Sequence, residues 1–144
     1  MATLSIEKKY SITLDSGREF ILDAGGSVSN VGEVAQREFK VPTGSEVEVL
    51  TIGATVGAGQ LTDLKFMVLV NQDDTNTCRI RLKDTGGDTA DFNLQPGQAF
   101  DVYNTDLNVS ESAAAFASFS TIDTISAQFD TADGILGVYA GEAC

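Results

Sequence analysis

Apolar and polar residues alternate along most of this chain. That period of two confines it to β-strands with one face turned to a core. In the first segment Leu4, Ile6, Tyr10, Ile12 and Leu14 share one parity, broken by Lys8, while Ser5, Glu7, Lys9, Ser11 and Thr13 take the other. Asp15-Ser16-Gly17 reads as a turn, after which Phe20 and Leu22 resume the apolar face until Gly25-Gly26 interrupts it. A second region, from Val34 to Ile52, is split into two strands by the turn Pro42-Thr43-Gly44-Ser45.

The middle of the chain continues the pattern. Leu64 to Val70 is a nearly unbroken apolar run, as in a central strand covered on both faces. Asn71-Gln72-Asp73-Asp74-Thr75-Asn76 is rich in side chains that bond to nearby backbone, and so reads as a turn. Cys78, Ile80 and Leu82 then alternate with Arg79, Arg81 and Lys83, and Asp84-Thr85-Gly86-Gly87-Asp88 turns the chain again. Ala90, Phe92 and Leu94 form a short strand, Gln95-Pro96-Gly97-Gln98 a Pro-Gly turn, and Phe100 and Val102 the next strand. Asn108-Val109-Ser110-Glu111 resembles a capping box and predicts one short helix near 110–118. The end is β again, from Thr121 to Phe129 and from Ile135 to Ala140. Ile122 breaks the parity of Ile125, Ala127 and Phe129, which predicts a bulge between them. About eight to ten short strands at regular spacing predict one all-β domain over residues 1–144, an antiparallel β-sandwich of jelly-roll type.

Composition narrows what such a domain does. The chain has 144 residues, enough for a core of its own, and 42% of them are apolar. Asp and Glu outnumber Lys and Arg by 21 to 9, and the net charge of −12 opposes binding to nucleic acid and to anionic membranes. No apolar run approaches the roughly 20 residues that span a bilayer, and no secretory signal precedes the first strand, so the chain is expected to fold in a cytoplasm. Its two cysteines, Cys78 and Cys144, are expected to stay unpaired.

The chain contains no histidine. Its absence removes Ser-His and Cys-His nucleophile pairs, His-ligated zinc and the usual general base near neutral pH. The glycine-rich stretch from Gly53 to Gly59 lacks the Lys-Ser/Thr pair of a phosphate-binding loop, and reads as flexible backbone. Asp84-Thr85-Gly86 matches the aspartate motif of retroviral-type proteases, with Ile135-Leu136-Gly137 as a downstream hydrophobic element. Lys83 stands where that family has an apolar residue, and the charged lead-in Arg81-Leu82-Lys83 predicts that Asp84 sits in water at a hairpin tip. The acidic turns offer oxygen ligands for calcium, from Asn71, Asp73, Asp74 and Asn76 or from Asp84, Asp88 and Asp91. Neither set has EF-hand spacing, and turn chemistry explains both. The expectation is therefore no catalytic, cofactor-binding or metal-binding residue.

The segment from Phe66 to Val102 resembles small β-rich virion proteins of tailed bacteriophages. The matching parts are Val68-Leu69-Val70 with its Asn71-to-Asn76 turn, Arg79-Ile80-Arg81-Leu82 and the Leu94-Gln95-Pro96-Gly97 turn; Ile122 to Ala127 with Leu136 to Tyr139 resembles their closing hairpin. The resemblance covers half of the chain. It implies a virion structural protein, of the capsid decoration or cement type, or else a neck or tail component. It also implies a homo-oligomer, trimeric in many such proteins, with the major capsid protein or other virion proteins as partners. The acidic charge favours the capsid exterior, because an inner surface faces packaged DNA. Met1 to Ile6 is a candidate arm that adds a strand to a neighbouring sheet, or else an ordinary first strand. A β-sandwich binding module for carbohydrate or a cell surface is the competing reading, weakened by the lack of Trp.

Overall fold

The computed structural model describes residues 2–52, 64–103, 108–109 and 120–143. They form β1 (Ala2–Thr13), β2 (Glu19–Val41), β3 (Val47–Thr51), β4 (Leu64–Asn71), β5 (Cys78–Asp84), β6 (Thr89–Leu94), β7 (Ala99–Tyr103), β8 (Asn108–Val109), β9 (Ser120–Phe129) and β10 (Gly134–Ala143). One sheet has the order β1-β2-β10-β4-β7. The other has the order β3-β9-β5-β6, with β8 on β9.

This order is that of a jelly roll. The antiparallel pairs β2·β10, β3·β9, β4·β7 and β5·β6 are those of one long hairpin folded at the β5–β6 turn. Rolling that hairpin adds β10·β4 and β9·β5 and closes two sheets over one core. Met67, Leu69, Leu136 and Val138 fill the interior from the first sheet; Ile80, Leu82, Ile125 and Phe129 fill it from the second. The turns carry the chemistry that their residues suggest. Gly97, at φ 72°, follows Pro96, and Gln98 N–H closes that turn on Gln95 O at 3.0 Å. The bulge in β9 is also present. Lys83 faces Thr124 and Asp84 faces Ile122, which leaves Asp123 without an opposite residue.

Gly25-Gly26 does not interrupt its strand. β2 runs unbroken for 23 residues and changes partner at Val31, pairing β10 over residues 31–41 and β1 over residues 19–31. Gly26 serves a close approach instead. A Cβ there would stand 3.0 Å from Cε2 of Tyr103, so the missing side chain lets β2 lie on that ring. Residues 2–6, the candidate arm, lie in β1 and pair within the chain. Asn108-Val109 forms β8, paired with Thr121 and Ser120. The rest of the expected helix, the Gly53–Gly59 loop and Cys144 lie outside the described residues.

Candidate interaction surface

The acidic turns are occupied by their own backbone. Asn71 is fully buried, and its Nδ2 donates to Asn76 O and Leu94 O, both at 2.9 Å, while its Oδ1 accepts from Asp73 N–H at 3.0 Å. One amide thus ties the end of β4 to the following turn and to the end of β6. Asp73 Oδ1 accepts from the backbone N–H groups of Asn76 (2.6 Å) and Thr75 (2.8 Å), and these hold its carboxyl below the ordinary aspartate range. Asp91 turns outward and grips Arg81 through both oxygens at 2.8 Å, and that pairing lowers its pKa. Among the described residues no group of three or more His, Cys, Asp or Glu is placed to hold a metal ion.

Asp84 does not sit in water. It is only 1% exposed, and its Oδ1 accepts from Asp88 N–H at 2.8 Å. The cause is the alternation itself. Cys78, Ile80 and Leu82 point inward, so Asp84 does too, while Arg81 and Lys83 point out. Asp84 Oδ2 and Asp123 Oδ1, beside the β9 bulge, are buried without hydrogen-bond partners. Thr85 and Gly86 form the exposed hairpin tip, and Leu136 of the downstream element is a core residue. Cys78 is likewise buried, and burial pushes its thiol up to about 12.

The outward faces of the two sheets differ. That of β3-β9-β5-β6 is polar. Arg81 bridges Asp91 and Glu46 there, and a shallow concavity of about 360 Å³ runs past Arg79, Asn93 and Gln128. That of β2-β10-β4-β7 carries Gln36, Glu38 and Lys40 on β2 but holds an apolar groove over β4 and β10. Val34, Phe66, Val68, Tyr103 and Tyr139 line a groove of about 590 Å³, whose other wall is β1 from Thr3 to Glu7.

β1 and the first half of β2 form a two-stranded ribbon that crosses this face. Leu4, Ile6 and Lys8 are half-buried, while Ser5, Glu7 and Lys9 are exposed. Lys8 reaches β7, on the far side of the sheet from β2. It ion-pairs with Asp101 there and stands 5.2 Å from the centre of the Tyr103 ring. The hydrogen bond that Lys8 donates to Asp101 raises the pKa of Lys8. Lys8 breaks the apolar parity of β1 for this reason. It is the polar anchor of an otherwise apolar face.

Beyond Lys8 the apolar residues of the same face are exposed among the described residues. Tyr10 opposes Leu22 and Ile12 opposes Phe20 across the ribbon, with Leu14 at the turn. Ile12 is 61% and Leu22 63% exposed. The alternation that marks these residues in the sequence is the alternation of a core-facing strand, yet among the described residues they stand outside the core. No protein-family description, curated protein or solved structure matches the chain.

Proposed function

We propose that this chain is a non-enzymatic virion structural protein of a tailed phage, a capsid decoration protein that binds the outer face of the shell as a symmetric homo-oligomer. The observation that carries the reading is the apolar ribbon. A jelly roll closes its own core, so a stripe of large apolar side chains outside that core is surface for assembly. Two further features support it. Jelly rolls recur in viral shell proteins, an argument of analogy. The charge of −12 suits an exterior position, away from packaged DNA. Asp84 is buried, the acidic turns bond to their own backbone and the chain has no His, features that suit a structural part.

The test is to add purified protein to phage heads stripped of accessory proteins. Saturable binding at a fixed ratio to the major capsid protein is expected. Failure to bind any shell, with binding to isolated necks or tails, would move the protein to those parts. Selective binding to a glycan and to no virion component would replace the reading with a carbohydrate-binding module.

A further inference from the structure

We propose that the exposed half of the ribbon seats in the apolar groove of a second copy of this chain, so that copies join head to tail into a ring. Each molecule carries both halves of the contact. The groove already accepts this chemistry, since Leu4 and Ile6 of the same ribbon face form its wall and face its floor of Phe66, Val68 and Tyr139. Ile12 and Leu22 present the same aliphatic side chains further along, exposed among the described residues.

Area and charge both favour a second copy as the occupant. Tyr10, Ile12, Leu14, Phe20 and Leu22 are between 44% and 63% exposed. With roughly 150–250 Å² per large side chain, they offer on the order of 500 Å². The stripe and the strip it covers would together remove about 1,000 Å² from water, the size at which specific association begins. Residues 9–23 hold Lys9 and Arg18 against Asp15, Glu19 and Asp23, a net of −1 in a chain of −12. The ribbon thus carries little of the molecule's net negative charge and adds little repulsion to a contact between copies. Ribbon and groove are different patches, so the contact is heterologous and generates a ring when its rotation closes.

This inference rests on the ribbon as an assembly surface but not on the virion. Self-association is read on the pure protein, shell binding on heads, and either fails separately. Sedimentation velocity at about 100 µM, a concentration that populates even micromolar contacts, should show a closed oligomer. The double variant Ile12→Asp/Leu22→Asp should sediment as a monomer that still melts cooperatively, its melting temperature no longer dependent on concentration. In a Cys144→Ser background, Ile12→Cys and Val34→Cys chains mixed under mild oxidation should cross-link at least tenfold more than either alone. A monomeric wild type overturns the proposal, as does an oligomer insensitive to the double variant. Preferential Ile12→Cys self-pairing would replace the ring with a two-fold dimer and overturns the groove as the seat.

Discussion

Asn71 shows how one side chain sets a turn in this protein. Its amide donates to two carbonyls, Asn76 O in the turn and Leu94 O at the end of β6, and its oxygen starts the turn that Asp73 completes. Asn71→Ala leaves those groups without partners in a fully buried place and should lower stability by about 2–4 kcal/mol, read from chemical denaturation. Asn71→Asp should cost at least as much, because it removes the donor and buries a charge against two carbonyls. Cys78 carries a second residue-scale expectation. With its thiol buried and raised to about 12, it should resist iodoacetamide in the native protein at pH 8 and react only after unfolding. Fast native alkylation at Cys78 would show that the end of β5 is open. Asp84 was legible at this scale and easily misread. The charged neighbours Arg81 and Lys83 suggest water, whereas the inward parity of Cys78, Ile80 and Leu82 decides the outcome.

At the scale of elements, most strands and turns could be read from the sequence because alternation and turn chemistry are local. Pro96-Gly97, the β5–β6 tip and the β9 bulge all stand where local signals put them. β2 could not be read in this way. Gly25-Gly26 looks like a break, but a Cβ at Gly25 would stand 2.6 Å from Ile6 O and one at Gly26 3.0 Å from Tyr103, some 77 positions away, and neither neighbour can be read locally. Lys8 was opaque for the same reason, since Asp101 is its partner. Together Lys8, Asp101, Tyr103 and Gly26 form the anchor of the ribbon. Gly26→Val should push the ribbon off Tyr103 and speed hydrogen exchange in β1 and residues 19–28, while the jelly-roll strands keep their protection. The anchor should also respond to alkali. Lys8 is raised above its ordinary value of 10.5, so the stabilisation it gives is fully present below that pH and is lost as pH rises through the raised pKa. Limited proteolysis of the ribbon should therefore accelerate above about pH 10.5, and Lys8→Ala should accelerate it already at neutral pH.

At the scale of the whole molecule, the fold class follows from alternation, but the strand order does not. The jelly roll depends on pairings such as Val41 with Gly134 and Val47 with Ala127, which no local period encodes. The unpartnered ribbon was hidden for a related reason. A strand that faces a core and a strand that awaits a neighbour have the same sequence pattern. The difference appears only when the core closes without Tyr10, Ile12, Phe20 and Leu22. The molecule thus divides into a self-sufficient sandwich and an apolar ribbon that assembly would cover. Binding of the Ile12→Asp/Leu22→Asp variant to stripped heads tests that division most directly, with its melting curve measured alongside. An intact cooperative melt and affinity reduced at least tenfold are expected, because a monomer loses the avidity of the assembled ring. Wild-type affinity in the variant, with its fold intact, would contradict that division.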